Sequence, residues 1–224
     1  MANQTSSLNH EARAEAFSAL SALAQAMSAP ARLRILQFLS NRPATVEEIG
    51  ARIEESIANT SQHLQKLKHA GFVSDVKSGV KRTYSLTDSG IIDTLIQFQE
   101  IAARMKPNVR AAEETLCPPE LCPDLPLSHV LEEIRREKAI LIDVRDEEEF
   151  KASPAPSALS LPLAEIKKSL GLLPKKKTIY AFCRGRYCSL ANDVVRELRA
   201  KGYKAYRLRE MSHEIEKAMA EKGN

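Results

Sequence analysis

The chain of 224 residues contains no tryptophan, and aromatic residues make up only 5% of the sequence. It also lacks any apolar run that approaches the roughly 20 residues of a membrane-spanning helix. The first residues, MANQTSSLNHEARAE, do not show the basic stretch followed by an apolar stretch that marks a secretory signal. These absences predict a cytoplasmic protein with no membrane partner.

Cysteine does not occur before residue 117, and the four thiols are Cys117, Cys122, Cys183 and Cys188. In a cytoplasmic protein such thiols indicate reactive chemistry or metal binding more than structural disulfides. The spacing of Cys117 and Cys122 is loose for zinc, and only His129 lies near them, so we expect no metal. The pair is either two exposed linker thiols or a redox pair. No motif in the chain predicts a cofactor.

The positive charge is unevenly distributed along the chain. Residues 1–124 hold 13 Lys or Arg and 14 Asp or Glu, whereas residues 125–224 hold 20 and 15. The bulk charge of the first part therefore gives no sign of nucleic-acid binding. Locally, however, residues 56–84 contain five basic residues and a single acid, Asp75. This excess favours a surface that contacts phosphates.

Helical periodicity with N-cap signals covers most of the first 106 residues, and a hairpin around Gly79 interrupts it. The predicted order is four helices, the hairpin and a long helix that follows Asp88. On the fourth helix we expect Ile57, Leu64 and Leu67 to face the core. Polar groups on its other side and basic groups on the hairpin could contact bases and phosphates. These candidate DNA-binding residues are Asn59, Ser61, Gln62, His63, Gln65, Lys66, Lys77, Lys81 and Arg82.

The stretches APARLRILQFLS, TVEEIGARI and NTSQHLQKLKHAGFV together resemble the ArsR-type winged-helix repressors over about residues 15–100. The resemblance implies a homodimer that pairs through its first and last helices and binds a two-fold double-stranded DNA operator. Many family members sense metals through cysteines near the TVEEIGARI helix or through acidic and histidine residues on the last helix. The corresponding helices here contain no cysteine or histidine, so those metal sites are absent.

Five prolines in residues 107–127 predict a linker, and the pattern changes after it. Apolar strands of the buried type, AILIDV, KTIYAFC and KAYRL, alternate with helices, which predicts a small parallel sheet. We therefore expect two domains. Residues 1–106 form a mainly-α winged helix-turn-helix with a β-hairpin wing, and residues 128–224 form an α/β domain.

The stretch AFCRGRYCSL places Cys183 between a strand and a helix that begins near Ser189. Loop amides, together with Arg184 and Arg186, should lower the pKa of Cys183. The resulting thiolate could attack a sulfane-sulfur donor, such as thiosulfate or polysulfide, and carry the sulfur as a persulfide. Cys188 either resolves that persulfide or is a small residue at the start of the helix.

The stretches ILIDVRDEEEF and YAFCRGRYC resemble the rhodanese family over about residues 126–220. The resemblance implies that Cys183 is the catalytic cysteine and that Asp143 and Arg145 support its loop, with Arg145 paired to Glu149. Residues 153–158 and the stretch LREMSHEI depart from the family pattern. Ser189 stands where phosphatases of this fold need arginine, which disfavours phosphate-ester hydrolysis. The loop candidates are Cys183, Arg184, Gly185, Arg186 and Cys188.

These features leave three functions open. The first is a dimeric, sequence-specific DNA-binding transcriptional regulator whose rhodanese-like domain accepts or senses reactive sulfur as a Cys183 persulfide. The second is a sulfurtransferase that the DNA-binding module only localises. The third is a regulator with an inactive rhodanese-like domain. Arsenite or another thiophile could also bind the Cys183–Cys188 pair.

Overall fold

A computed structural model describes residues 2–221 of the protein. The chain forms two compact units, the first ending at Leu95 and the second beginning at Ile96. Within residues 2–221, no helix has the length and apolar character that crossing a membrane requires.

The first unit consists of helices and a three-stranded antiparallel sheet in the order β1-β3-β2. The elements are α1 (Ala2–Met27), α2 (Pro30–Leu39), β1 (Ala44–Thr45), α3 (Val46–Ile53), α4 (Ile57–His69), β2 (Val73–Ser78), β3 (Lys81–Leu86) and α5 (Gly90–Met105), which continues into the second unit. The side chain of Ser56 caps α4 by accepting from the Asn59 amide, and Thr45 and Glu48 form a capping box at the start of α3.

Leu64 and Leu67 of α4 are fully buried in the first core, as predicted, but Ile57 is 56% exposed. The prediction for Ile57 was wrong because α4 packs on α3 through Thr60. A Cβ added to Gly50 of α3 would lie only 3.1 Å from the Thr60 hydroxyl oxygen, so the helices approach closely there. This contact sets the rotation of α4 and leaves its first residue outside the core.

The second unit has a four-stranded parallel sheet in the order β5-β4-β6-β7. The predicted small parallel sheet is thus confirmed, with one strand, β5, that we did not assign. That strand is an exposed edge strand and lacks the apolar run of a buried one. The elements are α6 (Pro107–Leu116), α7 (Leu127–Arg135), β4 (Ala139–Asp143), α8 (Glu147–Ala152), β5 (Ala158–Ser160), α9 (Ile166–Ser169), β6 (Thr178–Phe182), α10 (Leu190–Ala200), β7 (Ala205–Arg207) and α11 (Ser212–Ala220).

The two faces of this sheet bury separate clusters. Ile179 and Ala181 of β6 pack with α10 on one face, whereas Tyr180 and Phe182 pack with α7 and α11 on the other. This alternation is what a strand covered on both faces requires. Cys183 follows Phe182 directly and belongs to the α10 side. The strand therefore delivers the thiol to the carboxyl edge of the sheet.

The segment 107–127, which we predicted to be a linker, is folded instead. Pro107 occupies the first turn of α6, where its missing amide proton costs nothing, so the proline starts a helix rather than only ending one. Pro119 begins a short 3-10 turn that ends at Leu121. Leu121 is buried in the core beside α10. The placement of the domain boundary at residues 106 and 128 stays a prediction.

A fully buried ion pair fixes the chain after β4. Arg145 donates from Nε to Asp143 Oδ1 at 3.0 Å and from Nη2 to Asp143 Oδ2 at 2.6 Å. Its Nη2 also donates to the Ser153 carbonyl at 2.7 Å, which ties the end of α8 to the same pair. Glu149 pairs with Arg184 rather than with Arg145, so the predicted Arg145–Glu149 pair was wrong. Asp143, only two residues away, is the carboxylate that neutralises Arg145.

Replacing Asp143 with Ala should lower the free energy of unfolding by about 3–5 kcal/mol, because it leaves the Arg145 charge buried without its partner. Urea unfolding followed by far-UV circular dichroism measures this change. The control is Glu147→Ala, which removes an exposed ion pair with Lys151 and should leave the unfolding midpoint unchanged. Equal midpoints for both variants would contradict the importance of the buried pair.

Candidate functional sites: a DNA-binding surface and a thiol loop

The predicted DNA-binding residues lie on α4 and on the β2–β3 hairpin of the first unit. Asn59, Gln62, Gln65 and Lys66 are exposed on α4, whereas Ser61 and His63 are half-buried. On the hairpin, Lys77 lies opposite Arg82 in the register, and both are exposed. Exposed side-chain amides on a helix can donate hydrogen bonds to base edges, and basic groups on an adjoining hairpin can donate them to phosphates.

Asp75 is the single acidic residue within residues 56–84, and basic residues of the same segment neutralise its charge. Its buried side chain pairs with Lys68 and with Arg82, the latter at 2.8 Å. The hydrogen bond from Lys68 holds the pKa of Asp75 below its ordinary value. Arg82 therefore stabilises the hairpin through its ion pair with Asp75, in addition to contributing positive charge to the surface. The three exposed lysines Lys66, Lys77 and Lys81 carry the positive charge that this pairing does not use.

The loop after β6 holds two thiols that lie close together. Cys183 is 1% exposed, whereas Cys188 is half-buried. Gly185 has φ of 93°, a left-handed conformation that glycine adopts without strain. This turn brings Cys188 back over Cys183, and the Cys183 thiol also lies 3.6 Å from the Cys188 carbonyl oxygen.

The electrostatics of this pair favour a thiolate at Cys188. The Cys183 thiol donates to its sulfur, and the amides of Arg184 and Leu190 also donate to it, which lowers the pKa of Cys188 to about 5. The pKa of Cys183 is raised, first because its proton is held in this bond and then because the thiol is buried. Our prediction of a lowered pKa for Cys183 was therefore wrong. The loop amides do aim at a sulfur, but mainly at the second cysteine.

Both arginines of the loop are paired with carboxylates. Arg184 donates from Nε to Glu149 Oε1 at 2.6 Å and also contacts Asp146 at 3.3 Å. Arg186 pairs with Glu100 at 3.1 Å and with Glu113 at 3.6 Å. The positive charge that the sequence placed beside the thiols is thus largely compensated, and the arginines instead fix the loop to α8, α5 and α6.

Arg207 was not among the predicted site residues, but it fixes the loop by hydrogen bonds to main-chain carbonyls. Its fully buried guanidinium donates from Nη2 to the carbonyls of Gly185 and Cys188 and from Nη1 to the Leu116 carbonyl at 2.8 Å. Its charge lowers the pKa of Cys183, although the other causes outweigh it. An arginine inside the apolar strand stretch KAYRL was the signal that could have identified this residue.

The remaining thiols, Cys117 and Cys122, also lie together. Their sulfur atoms are 3.3 Å apart. Cys117 is fully buried and Cys122 is half-buried, so the interpretation as exposed linker thiols was wrong. The reason is the folding of residues 107–121 onto the second unit, which covers the first thiol.

A winged helix with an exposed recognition helix, together with a cysteine loop at the carboxyl edge of a parallel sheet, defines a helix-turn-helix regulator with a rhodanese-like domain. Two protein-family models match the chain, and both agree with this class. The helix-turn-helix domain matches residues 27–76, and the rhodanese-like domain matches residues 127–214.

The HTH-type transcriptional regulator Rv0324 of Mycobacterium tuberculosis is 31% identical to this chain over 178 residues, which cover 79% of this chain and 78% of that protein. The chain therefore belongs to this family of helix-turn-helix transcriptional regulators, and the predicted combination of an ArsR-type winged helix with a rhodanese-like domain is confirmed. A tRNA sulfurtransferase of Desulfurococcus amylolyticus is 39% identical over 71 residues, which are 32% of this chain and 14% of that protein.

Solved structures of winged-helix proteins are also similar to this chain. The winged helix-turn-helix domain of Mb0332 from Mycobacterium bovis has 23% identity and a TM-score of 0.38, over 40% of this chain and 83% of that one. Rv0081 of M. tuberculosis has 27% identity and a TM-score of 0.39, over 41% of this chain and 93% of that one.

The rate of alkylation of Cys188 by iodoacetamide should stay nearly constant between about pH 6 and about pH 8, because its lowered pKa keeps the thiol ionised. In Cys183→Ala the rate at about pH 6 should fall, because the thiol proton that stabilises the Cys188 thiolate is removed. Mass spectrometry of tryptic peptides measures both, because cleavage after Arg184 and Arg186 separates the two positions. A wild-type rate that rises about tenfold per pH unit would contradict the assignment.

Proposed function

We propose that the protein binds a two-fold DNA operator as a homodimer and that reactive sulfur accepted by the thiol loop lowers its affinity for that operator. The observation that carries this proposal is the loop that turns at Gly185 and brings Cys188 back over Cys183, whose thiol lies 3.6 Å from the Cys188 carbonyl oxygen, in a chain of a transcriptional-regulator family. A pair of thiols held in this way can both ionise a nucleophile and hold the sulfur it takes.

The pair suits persulfide formation at Cys183 with Cys188 as the proton acceptor. The half-buried Cys188 thiolate attacks the sulfane sulfur of the donor, and the buried Cys183 sulfur then takes that sulfur atom from Cys188, to which it gives its proton. The sulfur–sulfur bond of the donor breaks, and its electron pair leaves with sulfite from thiosulfate or with a shortened polysulfide. The amide of Ala191, which donates to the Cys183 sulfur, can then hold the persulfide anion.

Exposed apolar side chains support the homodimer. On α1, Phe17 is 66% exposed and Leu20 is 58% exposed. On α5, Phe98 is 53% exposed and Met105 is 69% exposed. Large apolar groups are costly to leave in water, and a second copy of the same helices would cover them. A dimer would also present two copies of α4 to a two-fold operator.

The second half of α5 offers a route for coupling. Glu100 on this helix pairs with Arg186 of the thiol loop, and both residues belong to the second unit. The same continuous helix begins at Gly90, and its Leu95 is part of the first core. A change in the loop that altered the Arg186–Glu100 pair would therefore act on a helix that the winged-helix core also holds. Coupling of this kind requires a difference in free energy between the two states.

The similarity to part of a tRNA sulfurtransferase supports a second candidate, an enzyme that passes sulfur from thiosulfate or polysulfide to a thiol. Steady turnover with thiosulfate and a thiol acceptor, lost in Cys183→Ser, would favour this activity over sensing alone.

Replacing Lys77 and Lys81 together with Ala should weaken DNA binding equally on all sequences. The slope of log K against log salt should decrease by about 2–4, because a dimer loses four lysines. Fluorescence anisotropy with a duplex selected from random sequence by the protein itself measures this slope, and saturation should require two chains per duplex. Lys151→Ala is the control, because this exposed lysine lies on α8 of the second unit. An unchanged slope in the double variant would remove the hairpin from the DNA interface.

Treatment with inorganic tetrasulfide should add one sulfur atom to the tryptic peptide that ends at Arg184 and should reduce operator affinity about tenfold or more. Cys183→Ser should lose both effects, because the acceptor sulfur is gone. Peptide mass spectrometry and operator anisotropy on the same sample measure loading and affinity together.

Equal operator affinities for loaded and unloaded protein would reject the coupling. Arsenite is a comparison ligand, since it would add to both cysteines of the loop and require Cys188 as well as Cys183. A response to arsenite without any response to tetrasulfide would replace the sulfur proposal with a thiophile sensor.

A further inference from the structure

We propose that Cys117 and Cys122 form a second reversible redox site, which polysulfide oxidises to a disulfide without participation of the thiol loop. This site goes beyond the proposed function, since the rhodanese-like loop is not needed for it.

The local fold brings these two thiols together. Cys117 is the C-cap of α6 and its amide donates to the Glu113 carbonyl at 2.7 Å. The 3-10 turn Pro119–Leu121 then reverses the chain, and the amide of Cys122 donates to the Pro119 carbonyl at 3.1 Å. The sulfur atoms end 3.3 Å apart, and a disulfide bond of about 2.05 Å needs only a small further approach. Pro118 and Pro119 limit the backbone freedom of this turn, so the two sulfur atoms are already held close together in the reduced protein.

The two thiols differ in their exposure to solvent, and this difference determines which of them reacts first with a dissolved donor. Cys122 lines a surface cleft of about 370 Å³, whereas Cys117 is fully buried. A dissolved donor therefore reaches Cys122 first, and Cys117 can only attack a sulfur already bound next to it. This division into an attacking and a resolving thiol is the arrangement that reversible dithiol sites use.

The charges around the cleft favour the same order. Arg207 and Arg209 line it together with the acids Asp124 and Glu210. The hydrogen bond from Cys117 lowers the pKa of Cys122 to about 6, and the neighbouring Arg209 guanidinium contributes to this. The pKa of Cys117 is raised, because its proton is held in the bond to Cys122 and because the thiol is buried.

The reaction balances in two steps. The Cys122 thiolate attacks a sulfane sulfur of polysulfide, and a shortened polysulfide leaves with the electron pair of the broken sulfur–sulfur bond. The Cys117 thiol then gives up its proton and attacks the Cys122 sulfur, and hydrosulfide leaves. Two thiols are oxidised to a disulfide, and one sulfane sulfur is reduced to hydrosulfide. Excess thiol restores the reduced pair.

The thiol loop shares a structural support with this site. The Leu116 carbonyl, next to Cys117, accepts from Arg207 Nη1 at 2.8 Å and from Asn192 Nδ2 at 3.0 Å. The other end of the same guanidinium holds the Gly185 and Cys188 carbonyls.

The test uses the full-length Cys183→Ser/Cys188→Ser protein treated with inorganic tetrasulfide. A single tryptic peptide, residues 111–135, contains Cys117 and Cys122 and no other cysteine. We expect this peptide to lose two hydrogens and to become resistant to alkylation until a reducing thiol is added. Adding Cys117→Ser should instead trap one extra sulfur on Cys122, and adding Cys122→Ser should abolish both products.

An unchanged peptide after tetrasulfide treatment would overturn the proposal, as would equal modification in the Cys117→Ser and Cys122→Ser proteins. Arg209→Gln should slow disulfide formation at neutral pH at least about threefold, because less of Cys122 is ionised. Arg196→Gln is the control, since this exposed arginine pairs with Asp193 on α10. Peptide mapping of the treated wild-type protein repeats the readout without any substitution.

The outcome is separate from that of the proposed function. The test proteins lack both loop thiols, so failure of sulfur loading at Cys183 leaves the expected disulfide in place. A positive result here, conversely, says nothing about the loop.

Discussion

The second unit depends on one buried charge, the guanidinium of Arg207. Removing a guanidinium from water is costly unless it finds acceptors, and here three main-chain carbonyls accept from its two Nη atoms. Those carbonyls belong to Leu116, beside one pair of thiols, and to Gly185 and Cys188, in the loop that holds the other pair. The arginine therefore joins two segments that are about 70 residues apart in sequence and gives each a fixed backbone. Its charge also favours the ionised form of the sulfur atoms near it.

In each pair of thiols, one sulfur is more accessible and more acidic than its partner. A hydrogen bond between two thiols lets one ionise at the expense of the other, so the acidity of either cysteine belongs to the pair. The held proton raises the pKa of Cys183 and of Cys117, and burial adds to this, because the deeper sulfur is the costlier one to charge. The arrangement gives each pair a nucleophile and a proton acceptor without a histidine.

Most of the fold could be predicted from local signals. The capping box at Thr45, the cap at Ser56 and the apolar runs of β4 and β6 each reflect a requirement that a few neighbouring residues satisfy. The exposed edge strand β5 and the folding of residues 107–121 were missed. The first carries no apolar run, and the second depends on burial of Leu121 against α10, a contact made far along the chain. Proline content indicated a linker because the same residue that ends helices also starts them.

The amino-acid sequence by itself determined the class of the protein, the recognition helix with its basic hairpin and the position of the thiol loop after a buried strand. Only the tertiary structure decided which thiol is ionised, which carboxylates pair with Arg184 and Arg186, and that Cys117 lies against Cys122. The physical reason is that motifs report backbone conformation and residue type over short distances. Acidity, in contrast, depends on burial and on charges such as Arg207, which reach the site from another strand.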